Sequence, residues 1–458
     1  MSAILIKNAR IWTNSNSNGN GNGAGLIEKG FVLIEGDKIT RVGGMEECPE
    51  PPEGTETSTI DAGGRLLLPG FVCAHTHLYS ALARGLTLPG VSPNSFGEIL
   101  KQFWWRLDKA LDPESIYYSA LVGGIEFIRS GVTTIIDHHA SPNSIRGSLK
   151  TIKKAVVEEL GLRASLCYEI SDRDGQERAL EGITENIEFF ELAREEGADR
   201  LSALIGLHAS FTLSDETLLK LKQELGDRIS GVGFHIHLAE GPEDQEDSLR
   251  KYGKRVTERL REMGILNEKT VLAHGVHLDE QEKAILAEAD ALLVHNPQSN
   301  MNNAVGVADI QGMLERGILV GLGNDGFGYE MLSDLRAMTL VHKLAQRDPK
   351  ALGFDLAHKI FFENNYTIVE RLFGVEVGKI RPGYQADLIL VDYLPPTPLD
   401  ERNLMGHLLF GLVGNPRVRI TIVDGKVVMK DHQIAGVDEE AVYRAARRAA
   451  EGFWKRIK

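Results

Sequence analysis

The 458-residue sequence holds only three cysteines, Cys48, Cys73 and Cys167, with no CxxC spacing among them. That excludes a disulfide framework and suits a reducing compartment. It also lacks a surplus of basic charge. Lys and Arg number 51 against 65 Asp and Glu, a formal net charge of -14, so no broad nucleic-acid footprint is expected. No uninterrupted apolar run reaches the ~20 residues of a membrane span. The start, "MSAILIKNARIWTN", lacks the basic head and long apolar centre of a secretory signal. A soluble, cytoplasmic protein without nucleic-acid or membrane partners is therefore expected. What is present is an ordinary globular composition, 42% apolar and 25% charged, in a chain longer than one compact domain usually needs.

The first sixty-odd residues read as short antiparallel strands ("AILIKNARIWTN", "GFVLIEGDKITRVG", "STIDAGGRLLLPG") separated by Gly and Asp punctuation. They enclose "NSNSNGNGNGAG", a low-complexity stretch read as a mobile hairpin tip. The far end repeats the style in "GKIRPGYQADLILVDY" and "RVRITIVDGKVVMKDHQI", where "DG" signals a hairpin. The two β-rich ends are expected to pair into one small domain. A last helix follows in "DEEAVYRAARRAAEGFWKRIK". Between the ends, eight apolar β-type runs alternate with amphipathic helical stretches, the pattern of a (β/α)8 barrel. The expected fold is thus α/β, with parts at 1–66, 67–374, 375–436 and 437–458.

Polar residues fall at the ends of those runs, where barrel enzymes keep their chemistry. "GFVCAHTH" ends in His75 and His77, "FHIHLAE" in His235, His237 and Glu240, "LAHGVH" in His274 and His277, and "GLGND" in Asp325. Residues i and i+2 of a strand share a face, so each HxH presents two imidazoles to one side. An isolated HxH is as easily a pair of surface histidines. Four separate strand ends carrying ligand-type residues point instead to a Zn²⁺ or Fe²⁺ site with one position left for water. Spacing alone leaves open whether His235 or His237 joins it.

These residues carry a resemblance. "PGFVCAHTHL", "HLAE", "LAHGVHL", "HNPQSNM" and "LGNDG", with "GKIRPGYQADLILVD" near the C-terminus, resemble the amidohydrolase superfamily in its cytosine-deaminase-like and triazine-hydrolase-like branch, nearly end to end. Within it, "WWRLDKALDPESIYYSAL" and "DHHASPNSIRGSLK" look most similar to the bacterial aminohydrolases called SsnA, of purine-type catabolism. The resemblance implies a distorted (β/α)8 barrel with a β-sandwich built from both chain ends. It assigns His75, His77, His237 and Asp325 to one divalent metal ion, zinc before iron. Glu240 and His274 become catalytic partners of substrate and water, and His235 a deeper packing or supporting residue. Members with two metals carry a bridging lysine on the fourth strand. Here "LIGLHAS" has none, so one ion is expected.

The activity expected is hydrolytic deamination of an amino-substituted nitrogen heterocycle, a purine, pterin or triazine. Asp325 would take the proton of the attacking water, Glu240 would protonate the ring nitrogen, and His274 would orient the nucleophile. The competing readings are hydrolysis of a cyclic amide or another C–N or C–Cl bond, and a non-enzymatic scaffold. Of "DHH", His139 is taken as the residue facing substrate, since neighbours on a strand face opposite sides. His208 is taken as lining the pocket or packing beneath it. Arg84 is taken as a substrate contact, with a salt-bridged loop arginine as the plainer alternative. Asn296 and Asn300 are read as loop-fixing side chains. Trp104 and Trp105 are read as core or subunit contacts, and "SDRDGQER" as a flexible rim loop. A homodimer or higher homo-oligomer is expected.

Overall fold

A computed structural model describes residues 2–14, 25–51, 56–414 and 417–457. Most of "NSNSNGNGNGAG", and with it the expected hairpin tip, lies outside the described residues. Both chain ends meet in one nine-stranded sheet. Its order runs from Gln433–Ile434 through Lys426–Lys430, Val418–Val423 and Leu388–Val391 to Leu66–Pro69, Ser2–Trp12, Leu26–Glu35 and Lys38–Gly44. The strand Glu56–Asp61 pairs in parallel with Ser2–Trp12. The long-range step is the antiparallel pairing of Leu388–Val391 with Leu66–Pro69.

The middle of the chain forms two parallel sheets. Four strands (Phe71–Thr76, Val132–His139, Arg163–Tyr168 and Leu201–Ala203) make one, and five (Ile205–Ala209, Phe234–Leu238, Val271–His274, Leu292–His295 and Leu319–Leu322) make the other. Isolated parallel bridges join them at both edges, Ile170 to Leu207 and Thr76 to Asp325. One buried apolar cluster draws on strands of both, among them Ala74, Ile136, Cys167, Val271 and Val294. Long helices, such as Pro113–Arg129 with Asp112 in a capping box and Gln176–Glu196, pack against the strands they connect.

Two apolar runs that read as single strands are each divided. "LLLPGFVCAH" breaks at Gly70, so that Leu66–Pro69 serves the nine-stranded sheet while Phe71–Thr76 opens the parallel one. A Cβ at Gly70 would lie 2.3 Å from Thr133, so only glycine lets the strands pass so closely. "LSALIGLHAS" breaks at Leu204, leaving Leu201–Ala203 on one parallel sheet and Ile205–Ala209 on the other. Periodicity detects the apolar run but not a change of partner within it. No helix among the described residues is long and apolar enough to cross a membrane.

Candidate metal centre and its cavity

The C-terminal ends of the parallel strands bring together the residues that the spacing singled out. His75 and His77 leave the Phe71–Thr76 strand, His237 ends the fifth run, and His274 and Asp325 sit where their strands turn out of the sheet. The turns have positive φ at His274 (79°) and Asp325 (59°), a conformation that costs a non-glycine residue energy and that clusters at functional sites. His75 and His274 are fully buried, and His77 and His237 nearly so.

The hydrogen bonds decide where each imidazole carries its proton. His77 Nδ1 lies on the carbonyl oxygen of His138, and His237 Nδ1 is 2.9 Å from the carbonyl oxygen of His208. Carbonyls only accept, so both rings hold a proton on Nδ1 and present Nε2 as a lone pair. Yet the two Nε2 atoms are 3.1 Å apart, and Asp325 Oδ1 is 2.9 Å from His77 Nε2 and 3.4 Å from His75 Nε2. His75 Nε2 and His274 Nε2 are buried without a hydrogen-bond partner. A point faced by several acceptors calls for a positive charge. Burial opposes charge on His77, but Asp325 outweighs it and holds the ring up to about 9. Burial likewise opposes charge on Asp325, while the imidazoles of His75 and His77 beside it hold its carboxyl well below the usual range.

Three overlapping sets of donors gather here closely enough to hold a cation: His75, His77, His138 and His237; His75, His237, His274 and Asp325; and Glu169, His208 and His237. None includes His235, and all include His237. The donors are neutral imidazoles and a carboxylate, the mixture suited to Zn²⁺ or Fe²⁺.

Around this cluster the supporting contacts are specific. His274 Nδ1 donates to Asn300 Oδ1 at 2.7 Å, leaving Nε2 bare and 3.5 Å from Glu240 Oε2. Asn303 Nδ2 donates to Glu240 Oε1 at 3.1 Å, and the Ser299 hydroxyl donates to Asp325 Oδ2. Burial pushes Glu240 up to about 7, the neighbouring His274 working the other way. A carboxyl poised there can hold a proton at neutral pH and give it up. Asn300 does fix a catalytic candidate in place, whereas Asn296 turns away and donates to the carbonyl oxygen of Val294.

A cavity opens above the cluster. His77, His208, His237, Glu240 and Asp325 line one side. His208 is thus where it was expected, its Nδ1 2.7 Å from Thr212 Oγ1. The other side is built by residues that the sequence did not single out for this role. Tyr79, Phe96, Leu100, Trp104, Trp105 and Phe211 supply an aromatic and apolar surface, and Asp108, Glu169 and Arg173 a charged one. Trp104 and Trp105, read as core or subunit contacts, therefore face the cavity. Arg173, in the segment read as a flexible rim, is buried, 2.5 Å from Asp108 Oδ2 and 3.6 Å from Glu169 Oε2. Glu169 follows the third parallel strand, so the strand-end signal that found His75 applied to it as well.

Two expected substrate contacts are placed elsewhere. Arg84 does not reach the cavity: its side chain is 60% exposed and makes two 2.8 Å bonds with Glu126. His139 is buried on the opposite face of its strand, with Nε2 2.9 Å from Ser141 Oγ. Strand alternation holds as expected, but it sends His138, not His139, toward the cluster, stacked on His235 at 4.4 Å. The apolar cores on the two faces decide which parity points inward.

Residues 66–428 match a family model described as the amidohydrolase family. A 5'-deoxyadenosine deaminase of Methanosarcina mazei is 32% identical over 461 residues, covering 100% of each chain. A 5-methylthioadenosine/S-adenosylhomocysteine deaminase of Thermococcus sibiricus is 32% identical over 88% of this chain and 90% of its own. In fold, the chain is similar to a solved adenosine deaminase from Xanthomonas campestris with bound zinc (TM-score 0.83, 21% identity, 99% and 98% covered).

Proposed function

Because this chain belongs to the amidohydrolase family, we propose that it deaminates an amino-substituted nitrogen heterocycle by hydrolysis, releasing ammonia. The substrate class is an adenosine-like nucleoside or a related purine, a reading supported by relatives named for deaminating such compounds. The observation that carries it is the meeting of bare imidazole nitrogens with Asp325 Oδ1, beside a buried carboxyl at Glu240.

In this reading His75, His77, His237 and Asp325 hold one divalent ion, zinc before iron. When bound, such an ion supplies Lewis acidity and a water acidic enough to ionise near neutral pH. The attacking water gives its proton to Asp325 at Oδ2, an oxygen kept in orientation by the Ser299 hydroxyl. His274, its Nδ1 proton directed to Asn300 Oδ1, accepts a hydrogen bond from the water at Nε2 and directs it. Glu240, held by Asn303, delivers a proton to the ring nitrogen beside the reacting carbon, which draws electron density from that carbon. The amino group leaves as ammonia on taking the proton that Asp325 received from the water, and the new hydroxyl returns a proton to Glu240 as the carbonyl forms. Trp104, Trp105 and Phe211 exclude water from the opposite side and give a planar ring a surface to lie on.

For the scaffold, we read the two parallel sheets as one distorted (β/α)8 barrel. The edge bridges and the apolar cluster shared between the sheets support this. The nine-stranded sheet is read as a β-sandwich, because the turn at Gly36 lies against the turn at Gly425. The divisions 1–66, 67–374, 375–436 and 437–458 remain part of this proposal, as do a cytoplasmic location and a homodimer or higher oligomer. The test is a screen of adenine nucleosides, free aminopurines, pterins and triazines for ammonia release, with metal content measured on the same protein and mass by size-exclusion chromatography. Ammonia from a metal-containing preparation is expected. Ring opening or another leaving group without ammonia overturns deamination and leaves the site intact.

A further inference from the structure

His235 is fully buried, adjacent to the cluster yet outside its three donor sets. Its Nε2 lies 2.8 Å from His75 Nδ1, and its Nδ1 lies 3.6 Å from Cys167 Sγ. Cys167 Sγ is in turn 3.5 Å from the carbonyl oxygen of Asp137. Each ring has one proton to place, so this row admits two directions. In one, the thiol donates to His235 Nδ1, His235 Nε2 donates to His75, and His75 must carry its proton on Nε2. That proton has no hydrogen-bond acceptor in good geometry, for His75 Nε2 is unpartnered. In the other, His75 Nδ1 donates to His235 Nε2, His235 Nδ1 donates to the sulfur, and the thiol donates to the Asp137 carbonyl. Every donor then has an acceptor, and His75 Nε2 is a bare lone pair aimed at Asp325 and His237.

We propose that His235 is a positioning residue, which accepts the Nδ1 proton of His75 and so fixes the tautomer that can bind the divalent ion. This rests on the reading of the cluster as a metal centre. A metal-binding histidine usually donates its other ring N–H to a carboxylate, a backbone carbonyl or water. Here a neutral ring backed by a thiol does that work, and the hydrogen bond from His75 occupies His235 Nε2, which keeps this second histidine of "FHIH" from competing for the ion. The stacking of His138 on His235, at 4.4 Å and 20°, holds the plane of the ring.

The test compares zinc-loaded wild type with His235→Phe, which keeps a ring but has no acceptor, and His235→Gln, whose amide oxygen accepts the same proton. Each is titrated with a chelator, retained zinc is read by elemental analysis, and the cobalt(II)-substituted forms are read by visible absorption. His235→Phe is expected to lose its ion at about 10- to 100-fold lower chelator concentration, with altered cobalt bands. His235→Gln is expected to recover most of that loss. Retention by His235→Phe equal to wild type overturns the proposal, and so does equal loss in Phe and Gln, since packing alone would give that. Should His235→Phe fail to fold, as judged by circular dichroism, Cys167→Ala tests the far end of the row. Earlier zinc loss supports the proposal, and unchanged retention overturns it. Wild-type protein holding no divalent ion would instead sink the metal centre itself, before any variant is made.

Discussion

The cavity has two sides of different origin. One is made by strand ends: His77, His208, His237 and Asp325 line it, with His75 and His274 buried behind them. The other is made by the helical segments spanning Phe96 to Ala110 and by the loop after the third strand, which supplies Glu169 and Arg173. The first side is rich in imidazole and carboxylate acceptors. The second pairs its one arginine with carboxylates and surrounds it with aromatic rings, Trp105 lying 5.6 Å from the Arg173 guanidinium. Chemistry is thus placed on rigid elements, while the surface that shapes the substrate's space comes from connections, which vary more freely without disturbing the sheet.

The sharpest way to break this division is His237→Ala. We expect the protein to lose its divalent ion and to fall to the uncatalysed rate, with elemental analysis and ammonia release as the two readouts. Normal metal content would remove His237 from the strand-end set. Glu240→Gln comes next: turnover drops by about 10²- to 10⁴-fold, while metal content stays at the wild-type level. A variant that loses both belongs to the ion-holding group instead.

A pH profile tests the same carboxyl without substitution. Burial raises Glu240 to about 7. Its proton is therefore present below that pH and lost as pH rises through it. With Glu240 as the acid, kcat/KM declines on the alkaline side, and a profile flat from pH 6 to 9 is incompatible with that role.

The two arginines separate the sides by stability. Arg173→Met leaves Asp108 buried beside Glu169 with no cation between them, and such a loss costs about 3–5 kcal/mol. Denaturant unfolding should show it, together with a raised KM. Arg84→Ala removes an exposed pair and should cost about 0–1 kcal/mol, with kcat/KM unchanged. A catalytic defect in Arg84→Ala would return that residue to the site from which its geometry removes it.

The gathering of histidines and Asp325 at the strand ends was legible because its signals are local. An HxH at the end of an apolar run states both the face and the position of its side chains, and Asp325 and His274 end runs in the same manner. The fold class was legible from the alternation of runs with helical stretches. Asn303 and Ser299, which hold Glu240 and Asp325, gave no such signal, since Asn and Ser in a turn equally suit a cap or a loop. Arg84 and His139 were misplaced for a related reason. Charge beside a strand end says that a residue is near the mouth, not which way its backbone turns, and "DHH" fixes an alternation without its parity.

By itself, then, the sequence determined the repeating frame and the strand ends at which imidazole and carboxylate appear, because period two and run position are properties of neighbouring residues. Only the tertiary structure decided that His237 rather than His235 joins the donor sets and lines the cavity, that His138 rather than His139 turns inward, and that Arg173 rather than Arg84 enters the cavity. Each of those choices depends on which distant helix, loop or sheet face packs against the residue. No spacing along the chain encodes that.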